Sequence, residues 1–175
     1  SEDKNFNYIP KGFELSPEAA YVHITSNNTI AGTQWQSFPD TDKVPLIVDM
    51  SSDIFSRKIN VDQFGIIYAG AQKNAGPAGV TLAIMRKSMM EKLAEREIPT
   101  MLKYKTHFDK DSAFNTPPVF PIYMVGLIAE YLLEQGGIEK IEEINDKKAK
   151  MLYDTIDGLS DFYKGTTEKD SRSKM

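Results

Sequence analysis

Cysteine is absent from the 175 residues, which excludes disulfides and thiolate metal sites and fits a reducing cytosol. Histidine is nearly absent. His23 and His107 are the only two, their separation is not that of a metal-ligating pair, and both read as structural or surface residues. No apolar run reaches the ~18 residues of a membrane span, and no secretory signal pattern opens the chain. An excess of positive charge is also missing. Twenty-one Lys and Arg stand against twenty-five Asp and Glu, a net charge of -4, so there is no basic footprint for nucleic acid or an anionic membrane. What remains is an ordinary composition, 41% hydrophobic and 26% charged, in a length that normally makes one domain with a real core. These features together describe a soluble, intracellular and globular protein, expected in the cytoplasm.

Four short apolar runs carry most of the structural signal. Ala19 to Thr25 has strand length and ends in Ser26-Asn27-Asn28-Thr29, residue types whose side chains bond local backbone and make turns. Val44 to Val48 is almost continuously apolar, as in a sheet covered on both faces, and runs directly into Asp49. Phe64 to Ala69 is a third strand and opens into the loop Gly70 to Gly79. Val80 to Met85 is a fourth, with a charged helix expected from about Ser88 to Arg96. Ahead of them Ser1 to Glu18, broken by Pro10 and Pro17, reads as loop with one helical turn.

After Pro117-Pro118 the period changes. Phe120, Tyr123, Met124, Leu127, Ile128, Tyr131 and Leu132 form a helical stripe, stopped by Gly136-Gly137 where a C-cap belongs. A second helix follows, with Ile138, Ile141, Ile144, Met151, Leu152 and Ile156 expected to face inward. The tail from Lys164 to Met175 is polar and simply stops. Four strands, mostly parallel, need crossover connections of roughly a dozen residues or more, and few helices lie between these runs. The sequence therefore reads as the middle of a larger protein.

Chemistry concentrates just past the third and second strands. Lys73 sits in a loop with three glycines, between the amides Gln72 and Asn74. A lysine that bonds a carbonyl must lose its proton, and small neighbours let a planar group approach the backbone. The same pattern also reads as a solvated turn lysine, since Lys is mostly exposed. A phosphate-cradling Walker loop is excluded, because Asn74 follows the lysine and a strand, not a helix, follows the loop. Asp49 ends its strand at the carboxyl edge, where open α/β sheets bind ligands and where a carboxylate can pair with a protonated pyridine nitrogen. Alternatively it caps the next turn through Ser51 or Ser52. Asn115-Thr116 before two prolines reads as a helix start, which is also a ready anion site.

Three segments in this order carry a resemblance: Val48-Asp49-Met50-Ser51-Ser52-Asp53-Ile54-Phe55-Ser56-Arg57, then Tyr68-Ala69-Gly70-Ala71-Gln72-Lys73-Asn74-Ala75-Gly76-Pro77-Ala78-Gly79, then Phe114-Asn115-Thr116-Pro117-Pro118. With His23 to Gly32 and Asp161-Phe162-Tyr163, they resemble the phosphoserine aminotransferases, over the whole chain but only the middle half of a family member. The resemblance implies an α/β fold of the type-I pyridoxal-phosphate-dependent transferases. Residues 1–137 would be part of the cofactor-binding large domain, a mixed, mostly parallel sheet with helices, and residues 138–175 the start of the small C-terminal domain.

It also implies roles. Lys73 matches the lysine that bonds pyridoxal 5'-phosphate, Asp49 the aspartate at the pyridine nitrogen, Thr29 the threonine at the phenolic oxygen and Gln72 a cofactor-phosphate ligand. Asn115 and Thr116 match the pair that reaches a neighbour's cofactor phosphate across a homodimer. The implied reaction moves an amino group between glutamate and 3-phosphohydroxypyruvate to give phosphoserine, with the freed Lys73 amine moving the proton. Counterparts of the family's ring-stacking aromatic residue, upstream phosphate loop and substrate-gripping Arg and His are missing. Trp35 reads as packing, and Arg57 as structural or electrostatic. Two alternatives stand beside this reading: a structural module without cofactor or activity, and another aminotransferase or desulfurase of the same fold type. A desulfurase needs a catalytic cysteine, which this chain lacks.

Overall fold

A computed structural model describes residues 2–16, 18–91 and 97–175. All four apolar runs form strands: β1 (Val22–Thr25), β4 (Leu46–Asp49), β5 (Ile66–Gly70) and β6 (Thr81–Met85), with a small ribbon of β2 (Asn27–Asn28) and β3 (Thr33–Gln34) after the first. The main sheet has the order β1-β4-β5-β6. Its first three strands are parallel and β6 returns antiparallel beside β5. The mixed, mostly parallel sheet expected of the sequence is present.

Side chains alternate across the sheet. Ile24, Leu46, Val48, Ile67 and Ala69 point to one face and are buried together with Met50, Ile54, Phe64, Ala71 and Ala75. Trp35 packs against this core and meets the Phe13 ring edge-on at 6.3 Å, as its reading as a packing residue required. The opposite face is less uniformly buried: it presents exposed His23 and Thr25, half-buried Ile47, Asp49 and Tyr68, and buried Ile66, so apolar residues lie on both faces of the sheet.

Ser26 to Thr29 is not itself the turn. Asn27 and Asn28 are strand, paired with Gln34 and Thr33, and the chain reverses after them. The expected side-chain bonding does occur, since Asn28 Oδ1 accepts from the backbone N–H of Ile30 and Ala31, each at 3.1 Å.

Four helices follow: α1 (Lys87–Glu91), α2 (Tyr104–Phe108), α3 (Val119–Glu134) and α4 (Gly137–Gly158). The end of the helix expected to reach Arg96 lies outside the described residues. Helix α3 stops where the glycine pair predicts: Gly136 takes φ 104°, in the left-handed region that glycine enters freely, and Gly137 opens α4 at once. The inward-facing stripes do not materialise. Neither α3 nor α4 has a buried residue, and Phe120 and Met151 are 67% and 74% exposed. A stripe is buried only against an opposing surface. Here α3 meets α4 and, through Val125 and Pro121, the loop after β5, where Gly76 and Gly79 leave room for those side chains. No helix among the described residues is long and apolar enough to cross a membrane.

The polar tail is not a loose end. It folds back beside the ribbon: Arg172 bridges Thr33, the Ser173 N–H donates to Gly32 O at 2.8 Å, and Ser171 and Ser173 are buried. Both hydroxyls are hydrogen-bonded, Ser173 to Asn27 Oδ1 and Ser171 to Asp170 and the Ile9 N–H, which offsets the cost of their burial.

Candidate functional site

The carboxyl ends of β4 and β5 bring the sequence candidates together. Asp49 is the last residue of β4, paired in register with Tyr68 of β5, and Lys73 follows three residues after β5 ends. Beyond Gly70 the chain closes a tight loop. The N–H groups of Ala75 and Gly76 both donate to Ala71 O, at 3.2 and 2.7 Å, and Ala71 N returns to Val80 O at 3.0 Å. Asn74 pins the loop from below through a 2.6 Å bond from Nδ2 to Ile54 O. Lys73 is thus held at the tip with its side chain exposed.

Its amine is directed. Lys73 Nζ donates to Thr29 Oγ1 and to Ser52 Oγ, both at 3.1 Å, and the two hydroxyls hydrogen-bond each other. Thr29 comes from the turn after β2 and Ser52 from the segment after β4. Ser52 was missed as a Lys73 partner in the sequence reading, where it entered only as a possible partner for Asp49. The signal available was a second hydroxyl three residues after the strand-ending carboxylate.

Asp49 performs the turn-capping role and still faces the site. Its Oδ1 accepts from Ser51 N at 2.8 Å, and Ser51 Oγ accepts from Gly70 N at 2.9 Å, joining the ends of β4 and β5. The Asp49 carbonyl receives both the N–H and the hydroxyl of Ser26 at 2.9 Å. Asp49 as a residue is half-buried.

Beneath these groups lies a buried polar cluster. Asp53, 5% exposed, accepts from the Ser26 hydroxyl and, at 3.0 Å, from Gln34 Nε2. Arg57 Nη2 stands 3.6 Å from Asp53 and makes no hydrogen bond, while Nη1 donates to Gln36 O at 3.2 Å and the guanidinium covers the Phe38 ring at 5.1 Å. Burial lowers the Arg57 pKa from its ordinary value, opposed by the Asp53 charge. Arg57 therefore serves Asp53 and the core, in line with its structural or electrostatic reading. Phe55 between them holds φ 65°, an uncommon conformation for a bulky residue, fixed by its contact with the core.

The remaining candidates separate. Gln72 is exposed and folds back over Gly70, where a Cβ would lie within 3.0 Å of its amide. Asn115 and Thr116 are exposed ahead of α3, with Asn115 Nδ2 bonded to Thr116 O at 3.1 Å. They do not cap the helix, whose N-cap is Pro118 without a side-chain bond, and no hydrogen bond joins them to Lys73, Asp49 or Thr29. His107 bonds Met101 O at 2.9 Å, a structural contact as expected.

A primary amine among hydroxyls, with a carboxylate one strand away at the carboxyl edge, is a donor set that fits a planar cofactor bearing a carbonyl and a basic ring nitrogen.

Comparison with known proteins points the same way. Residues 8–175 match the family described as aminotransferase class-V. A phosphoserine aminotransferase of Desulfatibacillum aliphaticivorans is 60% identical over all of this chain and 48% of its own length, and that of Bacillus subtilis is 54% identical over the same shares. Among solved structures, the phosphoserine aminotransferase from Bacillus circulans subsp. alkalophilus superimposes with a TM-score of 0.96 at 48% identity, covering 100% of this chain and 49% of that one. A pyridoxal-phosphate-bound phosphoserine aminotransferase from Trichomonas vaginalis gives 0.90 at 37% identity, over 97% and 47%. The chain spans about half the length of the curated relatives it matches. With its family match running from residue 8 to residue 175, over the sheet, the lysine loop and both long helices, the chain belongs to the class-V aminotransferases.

Proposed function

We propose that this chain carries the cofactor-anchoring part of a phosphoserine aminotransferase, which moves an amino group between glutamate and 3-phosphohydroxypyruvate to give phosphoserine. The observation that carries the reading is the Lys73 amine held by Thr29 and Ser52 at 3.1 Å, beside the strand that ends in Asp49. The relatives named above lend the substrate class.

Pyridoxal 5'-phosphate would supply a carbonyl that exchanges amino groups and a ring that withdraws electrons from the bond being broken. Lys73 would hold it, and its freed Nζ is the base that takes the substrate's α-proton and later returns one. Thr29 and Ser52 keep that amine placed while it is free, and Thr29 serves the phenolic oxygen when the ring is bound. Asp49 opposes the pyridine nitrogen and stabilises positive charge there. Gln72 reaches the phosphate from the same loop. Asn115 and Thr116, exposed and unconnected to this site, serve a neighbour's phosphate in a homodimer. Residues from Ile138 onward begin the small domain, after the break at Gly136-Gly137.

A second reading, a folded module without turnover, is favoured by one observation. The best-placed arginine near the site, Arg57, is committed to Asp53, Gln36 and Phe38, and among the described residues no arginine hydrogen-bonds Lys73, Asp49 or Thr29. Turnover by this chain alone is therefore expected to be slight. The test is to incubate with pyridoxal phosphate, reduce with borohydride and map the labelled peptide. A label on Lys73, lost in Lys73→Arg, is expected, and its absence would overturn the cofactor assignment. An assay with glutamate and 3-phosphohydroxypyruvate then decides between the two readings.

A further inference from the structure

We propose that Ser52 is a positioning residue that acts through Thr29: its hydroxyl hydrogen goes to Thr29 Oγ1, which commits the Thr29 hydrogen to an accepting oxygen of the ligand. This rests on the cofactor reading given above.

Both hydroxyls stand on braced turns. Met50 N donates to Tyr68 O at 2.8 Å. Met50 O accepts from Asp53 N at 3.1 Å and from Ile54 N at 2.8 Å, so the turn that carries Ser52 is closed across it. Thr29 sits in the turn after β2, where Asn28 Oδ1 holds the next two N–H groups and Gly32 N returns to Asn28 O at 2.9 Å. With Lys73 the two side chains form a closed triangle. Lys73 Nζ donates to each oxygen at 3.1 Å, and the oxygens hydrogen-bond each other.

The direction of the bond between the hydroxyls follows from their donors and acceptors. A lysine ammonium has three hydrogens to give and no lone pair, so it takes none from Ser52. Among the described residues, Thr29 Oγ1 is then the one acceptor that the Ser52 hydroxyl meets. Ser52 is 8% exposed, whereas Thr29 is exposed. Were Thr29 the donor, the Ser52 hydrogen would be buried without a partner, at the full desolvation cost of that group. With Ser52 as donor nothing is stranded, because the Thr29 hydrogen turns toward the open side. Thr29 Oγ1 then accepts from both Lys73 and Ser52, which uses its two lone pairs. A ligand therefore meets Thr29 only as a donor. The bond between the hydroxyls does not involve the amine, so it persists when Lys73 is engaged by a carbonyl. An ionised phenolic oxygen beside that carbonyl is the acceptor such a donor suits.

The test compares affinities for pyridoxal 5'-phosphate and for 3-deoxypyridoxal 5'-phosphate, which keeps the carbonyl, ring nitrogen and phosphate but has no phenolic oxygen. Absorbance titration of each gives their ratio, and the wild type is expected to prefer the phenolic compound. Ser52→Ala leaves the Thr29 hydroxyl free to rotate, and the preference is expected to fall about fivefold, the loss of roughly one hydrogen bond. Ser52→Thr keeps the hydroxyl and is expected to keep the ratio. A Ser52 that only placed Lys73 would weaken both compounds equally, so an unchanged ratio in Ser52→Ala overturns the proposal. An equal fall in Ser52→Thr, or no preference in the wild type, overturns it as well. If the wild type binds neither compound, the functional reading fails first, and the bond is judged in the cofactor-free protein by NMR of the hydroxyl hydrogens. There a Ser52 hydrogen that exchanges more slowly than that of Thr29 supports it, and the reverse order overturns it.

Discussion

Lys73 Nζ lies 3.1 Å from Ser52 Oγ, and Ser52 is 8% exposed, so an exposed lysine is steered by a buried hydroxyl. Thr29 supplies the second contact at the same distance. Two fixed oxygens restrict a flexible four-carbon chain to one direction, which is the ordering a reactive amine needs. Ser52→Ala removes one of them. Cofactor affinity is expected to fall about fivefold, the value of one hydrogen bond near 1 kcal/mol, and Ser52→Thr is expected to restore it. An absorbance titration with pyridoxal phosphate checks this, and equal affinity in Ser52→Ala would show that Thr29 alone places the amine.

Asp53 makes a harsher prediction. Its carboxylate takes hydrogen bonds from Ser26 and Gln34 and is the charge opposite Arg57. Asp53→Ala strands a buried guanidinium and is expected to cost about 3 kcal/mol, the lower end for breaking a buried pair because the 3.6 Å contact is long. Removing Arg57 as well should recover part of the loss, since no uncompensated charge then remains. Urea unfolding of the two single variants and the double variant measures it; additive losses would mean that the pair is not coupled.

The sheet, the long helices and the positions of Lys73 and Asp49 at strand ends were legible because their signals are local. β-Branched runs name strands, a stripe ending in Gly136-Gly137 names α3, and Lys73 and Asp49 stand where strands end. Ser52 was not legible as a site residue, because its role depends on meeting a lysine 21 positions away. The docking of the tail was not legible for the same reason: Ser173 meets Asn27 across 146 positions, and a polar run carries no mark of a distant partner. Inward-facing stripes were expected on α3 and α4 because periodicity states which side would be buried and says nothing of what covers it. The contact of His23 Nε2 with Tyr68 Oη at 3.0 Å needed the strand order, which puts β1 and β5 on either side of β4.

Two glycines give opposite expectations. Gly79 holds φ +115°, and a Cβ there would come to 3.1 Å from Pro121 Cγ, at the seat of α3 on the lysine loop. Gly79→Ala is expected to destabilise by about 2 kcal/mol, from backbone strain and that contact together. Gly126 lies within α3 and a Cβ there meets nothing within 4 Å. Gly126→Ala is expected to stabilise by about 0.5–1 kcal/mol through helix propensity. Thermal unfolding of both variants checks the pair of signs, and a stabilised Gly79→Ala would refute the account of how α3 is seated.

The tail should be released by acid. Arg172 grips Asp157 with both nitrogens, Nη1 to Oδ2 at 2.9 Å and Nη2 to Oδ1 at 2.6 Å, and lies 4.5 Å over the Tyr153 ring; Lys169 adds a 3.0 Å contact to the same carboxylate. These hydrogen bonds, Arg172 before Lys169, hold the Asp157 carboxyl well below the usual carboxylate range. A carboxyl depressed in the folded state stabilises fully above its unfolded value, about 3.9, and that contribution drains away as pH falls below it. Because the group is exposed, the global cost is small and the effect is local. The backbone N–H groups of Ser173, bound to Gly32 O, and of Lys174, bound to Gln34 Oε1, report on it directly. Their protection from hydrogen exchange, corrected for the pH dependence of the intrinsic rate, is expected to drop below about pH 4 in the wild type. In Asp157→Asn it should already be reduced near neutral pH. The Lys174–Asp146 pair at 2.6 Å also ties the tail to α4, so Asp146→Asn separates the two contributions. Undiminished protection in Asp157→Asn would show that the buried serines alone hold the tail against the ribbon next to Thr29.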